Sequence, residues 1–252
     1  MKVMSFNVLC WGDEAHDIEI RKEKVVAIIK KYHPDTFGLQ EAHIEWMNCV
    51  REGLPEYDFV GVGREDGKEA GEFSPVFFLR DKYEVIDKGN FWLSETPEKP
   101  GKGWDAACVR ICSYAVLKDK ESGKTFTHFN THLDHVGEIA QIEGAKIIAE
   151  RGMSYPEYPA FFTGDFNVLP ESEPYNTVIN SGYKDARNIA ADSDDGYTFN
   201  AFDLKKDDCA YHKIIDYIFV KDCKVNSFKV ITDKVDGQFA SDHYPVIADI
   251  DF

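Results

Sequence analysis

Polar residues able to do chemistry follow the short apolar segments of this chain. Residues 160–163 form such a segment, and Asp165 and Asn167 come just after it. Residues two apart in an extended chain point to the same side, so we expect Asp165 and Asn167 to face one place. A carboxylate there can take a proton from water, and an amide can donate to a phosphoryl oxygen. An Asx turn at a strand end has the same spacing, so this pair alone leaves both interpretations open.

Two further oxygen-bearing side chains stand late in apolar segments. Glu41 ends the run 36–41, at the carboxyl end of a predicted buried strand, where open α/β sheets place their ligand crevices. Asn7 stands late in the first predicted strand. Hard oxygen ligands of this kind suit Mg²⁺ or Mn²⁺. The alternatives are a Glu41 that belongs to the first turn of the next helix and an Asn7 that only makes a strand-end hydrogen bond.

Three histidines, His128, His132 and His135, fall close together in one strand-like segment. A zinc site on these three is one interpretation. Zinc needs several ligands that converge from one face, however, and the other candidate ligands of this chain are carboxylates and amides. We therefore predict that His132 faces a phosphate as a hydrogen bonder or a cation, and that His128 is a satisfied core residue.

The segment 213–220 places Asp216 among apolar neighbours. Burying an unpaired charge costs several kcal/mol, so Asp216 requires a partner. His243, in Ser241-Asp242-His243, is the obvious one, because a carboxylate can orient an imidazole and stabilise its charge. Asp242 is then free to reach a metal. An ordinary turn before the last strand would explain the tripeptide but not Asp216.

The periodicity of apolar residues predicts the elements that must position these side chains. Strands are predicted at 3–9, 36–39, 59–62, 76–79, 83–93, 111–117, 126–131, 160–163, 214–220, 225–231 and 244–250. Helices are predicted at 18–32 and 138–151, with weaker patterns at 44–50 and 173–179. Ser122-Gly123 is typical of a hairpin turn. These elements predict an α/β fold with two mixed sheets and helices outside them, in one domain over residues 1–252.

Three polar stretches, 63–74, 94–106 and 190–196, are predicted to be surface loops. Loops of this length usually carry specificity, so we expect the first two to select the substrate. Phe73 and Trp104 in these loops either stack on a base or sugar or pack inward.

Composition excludes some modes of action. The 252 residues carry a formal charge of −16, which tells against gripping extended duplex nucleic acid by a broad basic surface. No apolar run approaches the roughly 20 residues that span a bilayer, and the N-terminus lacks a signal-peptide pattern, so we expect a cytoplasmic protein. Six scattered cysteines without a CxxC pair predict free, mostly buried thiols: Cys10, Cys49, Cys108, Cys112, Cys209 and Cys223.

Six short motifs, taken in order, resemble the full series of the endonuclease/exonuclease/phosphatase superfamily, and the resemblance covers the whole chain. It implies a four-layer α/β sandwich in which two central mixed β-sheets lie between helices, with the active site at one edge. The motifs are Phe6-Asn7, Leu39-Gln40-Glu41, Asn130-Thr131-His132, Gly164-Asp165-Phe166-Asn167, Ile215-Asp216-Tyr217 and Ser241-Asp242-His243.

The resemblance also implies a metal site. Glu41 would be the main Mg²⁺ ligand, with Mn²⁺ as a possible substitute, and Asn7 and Asp242 would lie close to the metal or the phosphate. From the chain itself, Arg64 and Arg110 stand near predicted substrate-side loops and are candidates for further phosphate contacts.

The remaining motif residues are assigned to catalysis by the same resemblance. Asp165 would orient or deprotonate the attacking water, and Asn167 would hold the phosphate. His132 and His243 would stabilise the transition state, with Asp216 positioning His243.

Two positions distinguish branches of the superfamily. Abasic-site nucleases carry an acid where this chain has Leu9 and a tyrosine where it has His132, so DNA-repair specificity is not expected. The His132 form is more like the deadenylase, sphingomyelinase and DNase-type branches.

The sequence thus predicts a divalent-metal-dependent hydrolase of phosphate esters in which a metal-activated water attacks phosphorus in line. The alternatives are an exonuclease or deadenylase-like nuclease on short single-stranded nucleic acid, and an inactive binding module of the same fold. The motif residues are expected to contact only the phosphate group, so they do not tell whether the substrate is a nucleic acid, a lipid or a sugar phosphate.

Overall fold

The computed structural model describes residues 1–203 and 211–252. The strands are β1 (Lys2–Asn7), β2 (Thr36–Gln40), β3 (Tyr57–Val60), β4 (Val76–Leu79), β5 (Tyr83–Trp92), β6 (Ile111–Asp119), β7 (Thr125–His132), β8 (Ala160–Asp165), β9 (Lys184–Asp185), β10 (Asp192–Ser193), β11 (Asp216–Lys221), β12 (Lys224–Val230) and β13 (Val246–Asp251). The α-helices are α1 (Ile18–Tyr32), α2 (Ile44–Gly53), α3 (Glu138–Gly152), α4 (Glu173–Asn180) and α5 (Ala186–Ile189).

The strands form two mixed sheets. One sheet has the strand order β10-β12-β13-β1-β2-β4-β3, and the other has the order β5-β6-β7-β8-β11-β9. Parallel pairs, β1 with β2 and β7 with β8, stand among antiparallel neighbours in each sheet. The antiparallel β6–β7 pair turns at Gly123 (φ 74°), which confirms the predicted hairpin.

Three apolar clusters separate four layers. One packs α1 and α2 on the outer face of the first sheet, for example Val25 and Trp46 against Phe37. The second fills the space between the sheets, and the third packs α3 and α4 on the outer face of the second sheet. The predicted four-layer α/β sandwich is confirmed.

The observed bounds differ from the predicted ones mainly where the backbone turns. The first strand stops at Asn7, because Leu9 adopts a left-handed conformation (φ 56°) that a strand cannot contain. The last strand begins at Val246 rather than at position 244, since Pro245 has no N–H to give to a ladder. The short elements β9, β10 and α5 were not predicted, because two to four residues carry too little periodicity.

The cysteine prediction holds in part. Five thiols are free, but only Cys112 is buried and the others, Cys10, Cys49, Cys108 and Cys223, are half-buried. Cys209 lies outside the described residues. Within the described ranges, none of the helices has the length and apolarity needed to cross a bilayer.

A chain of buried polar side chains bridges the two sheets. The ring of His128 on β7 lies 2.8 Å from the Thr36 hydroxyl of the first sheet and 2.8 Å from the Thr163 hydroxyl of the second. A neutral imidazole donates at one nitrogen and accepts at the other, so His128 satisfies both contacts and is the core histidine that we predicted.

Asn130 extends this bridge toward the carboxyl end of the strands. Its side-chain nitrogen donates to the Leu39 carbonyl (2.7 Å), and its oxygen accepts from Gln40 (2.7 Å). A Cβ atom on Gly38 would lie 2.1 Å from the Asn130 oxygen, so the close approach of the two sheets requires glycine there. The bridge therefore fixes β2 against β7 just before Glu41 and His132.

We predict that His128 makes the protein less stable in mild acid. Burial lowers the pKa of His128 from 6.5 to about 3, so between these values the unfolded chain binds the extra proton. The stability contributed by the neutral ring is complete above pH 6.5 and is lost as the pH falls, by up to about 1.4 kcal/mol per pH unit. Urea unfolding between about pH 7 and 5 measures this slope. His128→Gln, which cannot titrate, should show a shallower slope; equal slopes would contradict the prediction.

Candidate active site

The ends of the parallel strands bring the motif residues to one edge of the sandwich. Asn7 ends β1, and Asp165 ends β8 in the other sheet. The Asn7 amide nitrogen donates to Asp165 Oδ2 at 3.0 Å and so joins the two sheets at this edge. Asp216, the first residue of β11, pairs directly with Asp165 across the antiparallel ladder. Residues far apart in the chain thus converge because each stands at a strand end.

Left-handed backbone turns aim several of these residues. Glu41 (φ 61°) and Asn167 (φ 52°) both have the positive φ that is uncommon outside glycine and clusters at functional sites. The Asn167 N–H donates to Asp165 Oδ1 (2.9 Å), so an Asx turn, not an extended chain, makes the two residues converge, and our stated reason was wrong. Glu41 precedes α2, which begins at Ile44, so the helix alternative for Glu41 is also wrong.

Hydrogen bonds hold Glu41 in its anionic form. The Asn7 amide donates to Glu41 Oε1 and the Cys10 N–H donates to Glu41 Oε2, both at 2.9 Å. Burial alone would raise the pKa of Glu41, but these hydrogen bonds outweigh it and lower the pKa. The Asn7 oxygen accepts from the Leu9 N–H (2.9 Å). Asn7 therefore orients the Glu41 and Asp165 carboxylates through its nitrogen.

The structure pairs Asp216 with His243, as the buried acid in the sequence predicts. Asp216 Oδ2 lies 2.9 Å from His243 Nδ1, and His243 Nε2 lies 3.7 Å from Asp165 Oδ2. Burial opposes the charged ring, but the carboxylates of Asp216 and Asp165 outweigh it and raise the pKa of His243 well above its ordinary value. His243 is thus an imidazolium at neutral pH.

Asp165 is poised to exchange a proton. Burial, and then the charge of Asp216, raise the pKa of Asp165 to about 7, against the opposing effects of His243 and the hydrogen bonds from Asn167 and Asn7. A carboxyl group with a pKa near the working pH is suited to take a proton from water.

His132 is neutral and is held by Asn167. Its Nε2 lies 2.9 Å from the Asn167 amide nitrogen and 3.5 Å from Asp165 Oδ2. Burial, then the charges of Arg110 and Arg64, lower the pKa of His132 well below its ordinary value. Of the two roles that we considered, the hydrogen bonder fits this environment and the cation does not. The alternative zinc site on three histidines is wrong, because His128 uses both ring nitrogens in the core.

These side chains line a cleft of about 430 Å³. The predicted site residues on its wall are Glu41, Arg64, Arg110, His132, Asp165, Asn167, Asp242 and His243, while Asn7 and Asp216 support them from behind. Glu72, Phe199 and Lys213 also line the cleft, and the sequence analysis named none of them as a candidate. Of the remaining lining residues, His135 was considered only as an alternative zinc ligand, and Cys10, Cys108 and Ile215 were noted without a role in the site.

The two predicted arginines are anchored by acids. Arg64 hydrogen-bonds to Glu72, while Arg110 Nε lies 3.4 Å from Asp134 and its Nη2 lies 3.0 Å from His135 Nδ1. Arg110 Nη1 is buried and has no hydrogen-bond partner among residues 1–203 and 211–252. An unpaired buried guanidinium donor beside a cleft is suited to an anionic ligand.

The aromatic residues proposed for stacking do not line the cleft. Phe73 is buried in the cluster under α1 and α2, so it packs inward. Trp104 is half-buried and absent from the cleft wall. Phe199 instead occupies the rim, in edge contact with the His243 ring at a centroid distance of 5.0 Å.

A buried arginine that the sequence analysis missed ties two site loops together. Arg21 on α1 is 1% exposed and donates to the carbonyls of Val8 and Leu9, next to Asn7. It also donates to the Ala240 carbonyl (3.2 Å), just before the closing motif, and lies 5.0 Å from the Trp46 ring. The helical spacing gave no signal for this role, because an arginine on a helix usually faces solvent.

The donor set of the cleft fits a hard divalent cation. Ligand atoms of Glu41, His132 and Asp165 lie within 4.8 Å of one another, and the Asp242 carboxylate lines the same cleft. The carboxylate oxygens are the ligands that Mg²⁺ and Mn²⁺ prefer. Among the described residues, the Asp242 carboxylate does not belong to a group of three or more ligand atoms that all lie within 4.8 Å of one another.

The chain belongs to the Endonuclease/Exonuclease/phosphatase family, whose model matches residues 4–243. Members of this family are generally hydrolases, either phosphatases or nucleases.

Two solved structures and one curated relative are similar to this chain. A Bacteroides vulgatus endonuclease/exonuclease/phosphatase is 40% identical with a TM-score of 0.94, covering 99% of this chain and 98% of that one. A mannosyl-6-phosphatase of Bacteroides thetaiotaomicron is 34% identical with a TM-score of 0.93, covering 100% of both chains. The CCR4-Not complex 3'-5'-exoribonuclease subunit Ccr4 of Emericella nidulans is 25% identical over 72% of this chain, which spans only 37% of that protein.

We predict that Arg21→Met destabilises the protein by about 3 to 5 kcal/mol, because carbonyls of two loops lose their buried donor. Chemical denaturation measures the change in the free energy of unfolding. Arg51→Met, on the exposed face of α2, is the matched control; it loses only a contact with the Phe59 ring and should change the free energy of unfolding by about 1 kcal/mol or less. A loss for Arg21→Met as small as that of the control would show that the clamp contributes little.

Proposed function

We propose that this protein is a divalent-metal-dependent hydrolase of small phosphate esters, and that a sugar phosphate is its preferred substrate class. The observation that carries the proposal is the convergence in one cleft of the anionic Glu41, the proton-exchanging Asp165 and the imidazolium of His243. A metal ligand, a base and a cation are the parts that in-line attack of water on phosphorus requires.

Glu41 and Asp242 are the residues proposed to hold the metal, with Asn7 orienting Glu41. A bound Mg²⁺ would supply Lewis-acid stabilisation of the phosphoryl oxygens and lower the pKa of a coordinated water. The hydrogen bonds that keep Glu41 anionic support this role, because a protonated carboxyl group is a poor ligand.

The remaining side chains are proposed to move protons and hold charge. Asp165 takes a proton from the attacking water, while Asn167 and His132 donate to or position the phosphoryl oxygens. His243 donates from Nε2 to a phosphoryl oxygen, on which negative charge develops in the transition state. Asp216 acts through His243 as a positioning residue, since its carboxylate fixes the ring at Nδ1.

A small, anionic substrate is supported by the shape and charge of the cleft. A cavity of about 430 Å³ is in the range for a small ligand. Its cations, Arg64, Arg110 and Lys213, are local, whereas the whole chain carries −16. Glu72 adds a carboxylate that can accept hydrogen bonds from sugar hydroxyls. The likeness to the mannosyl-6-phosphatase over both full chains supports the same class.

A deadenylase-like nuclease is the second candidate. The likeness to the Ccr4 exoribonuclease subunit favours it, and Phe199 on the rim can stack on a base. The net charge of −16 tells against binding a longer strand on a broad basic surface, which places this candidate second.

We expect turnover to require both the metal and the charge of Glu41. Excess EDTA should abolish hydrolysis, and added Mg²⁺ or Mn²⁺ should restore it. Glu41→Gln keeps the shape but removes the anionic ligand, so kcat/KM should fall by at least about 100-fold.

The exposed Glu45→Gln on α2 removes the same charge outside the cleft and is the matched control. Hydrolysis that EDTA leaves unchanged would exclude the metal mechanism. Control-like rates in Glu41→Gln would remove Glu41 from the proposal.

The substrate class is tested by initial rates on a hexose 6-phosphate, a simple aryl phosphodiester and a short oligoadenylate, each with Mg²⁺ and with Mn²⁺. We expect kcat/KM for the hexose phosphate to exceed that for the oligoadenylate by at least about 100-fold, because a cleft of about 430 Å³ has room for one sugar phosphate and the net charge of −16 opposes a longer polyanion. A higher kcat/KM for the oligoadenylate would favour the nuclease and overturn the sugar-phosphate assignment.

A further inference from the structure

Three side chains outside the six motifs meet at the rim of the cleft. The Sγ atom of Cys10, a ring nitrogen of His43 and a carboxylate oxygen of Glu72 all lie within 4.8 Å of one another. Cys10 and Glu72 line the cleft beside Glu41. We propose that Cys10, His43 and Glu72 bind a transition-metal ion that prefers sulfur and nitrogen, such as Zn²⁺, at a site distinct from the Glu41 centre.

Backbone contacts bring the three ligands together without a metal. The N–H of Phe73 donates to the Ala42 carbonyl at 2.8 Å, which sets Glu72 next to His43. The Trp11 ring packs edge-on against the His43 ring at a centroid distance of 4.6 Å. His43 makes no hydrogen bond through its ring within residues 1–203 and 211–252, so its nitrogens are available as ligands.

The ligand types separate this site from the Glu41 centre. Thiolate, imidazole and carboxylate are zinc ligands, and three protein ligands leave a fourth tetrahedral position for water. Mg²⁺ takes oxygen ligands and does not favour thiolate.

A second cluster also combines a thiol, a carboxylate and an imidazole, but its ligand atoms already make hydrogen bonds. Ligand atoms of Cys108, Asp134 and His135 also lie within 4.8 Å of one another. However, Asp134 accepts four backbone N–H groups and contacts Arg110, and the same arginine occupies His135 Nδ1. The Glu72 carboxylate, in contrast, contacts one side chain of the described residues, Arg64. Of these two clusters, the Cys10 cluster has fewer competing contacts among the described residues: Arg64 on Glu72, and Glu41 on the Cys10 thiol.

Metal bound at the rim should inhibit turnover, and this consequence rests on the proposed function. A positive ion near Glu41 opposes the binding of a second divalent cation there. It also draws Glu72 away from Arg64, which lines the cleft as a phosphate contact. Zinc in excess would thus reduce activity even at saturating Mg²⁺.

Cobalt(II) tests the site by spectroscopy, because coordination by thiolate gives an intense near-ultraviolet charge-transfer band and oxygen ligands do not. We expect the band to saturate at one equivalent of Co²⁺ in the wild type and in Cys108→Ser, and to be absent from Cys10→Ser. Zn²⁺ should displace it. No thiolate band in the wild type, or a band that persists in Cys10→Ser, would overturn the proposal.

Thermal unfolding without metal shows whether Cys10→Ser folds. If it does not, His43→Ala tests the site in its place. Loss of one ligand should weaken Co²⁺ binding by at least about tenfold. Unchanged affinity in His43→Ala would remove His43 and with it the three-ligand site.

Hydrolysis of a hexose 6-phosphate at saturating Mg²⁺ tests the inhibition. Zn²⁺ should inhibit the wild type at a concentration at least about tenfold below that needed for His43→Ala. Equal inhibition of the two proteins would overturn the inhibitory role. A protein without any turnover would contradict the proposed function instead, and the cobalt titration would still decide the site.

Discussion

Two buried carboxylates on neighbouring strands impose the main electrostatic constraint on this structure. Asp165 and Asp216 face each other across β8 and β11, and each is 1% exposed. Two such groups cannot both stay ionised at low dielectric without a compensating charge. His243 supplies it, so the closing motif must pack over both strands. Burial and the charge of Asp216 raise the pKa of Asp165 to about 7, and His243 limits this rise, so Asp165 can exchange a proton with water near neutral pH.

This arrangement depends on the two sheets being held in register. The bridge of His128 and Asn130 links β2 to β7 through buried hydrogen bonds, and Arg21 ties the loop after β1 to the segment before Asp242. The side chains of His128, Asn130 and Arg21 are at most 1% exposed, so a lost contact leaves an unsatisfied buried group rather than one that water can replace. The positions of Glu41 and His132 at neighbouring strand ends follow from these contacts.

The cleft of this acidic chain contains two arginines that are held by acids. Arg64 is held by Glu72 and Arg110 by Asp134, which fixes the geometry of both guanidinium groups. This distribution favours a small phosphate over an extended polyanion. At the rim of the cleft, Glu72 lies next to a thiol and an imidazole. Hard and soft ligands can therefore direct two different metal ions to two sites in one cleft.

The sequence by itself determined the longer helices and strands and the polar residues that follow them, because both depend on local properties of the chain. The predicted helix 18–32 has the bounds of α1, since apolar spacing and caps act within a few residues, and the isolated acid at Asp216 already required a partner. The structure decided in favour of the turn at Asn167, which the sequence had left open. Only the tertiary structure revealed the clamp of Arg21 and the entry of Glu72 into the cleft. These depend on carbonyls and loops brought together from distant parts of the chain, and such contacts leave no periodicity in the sequence.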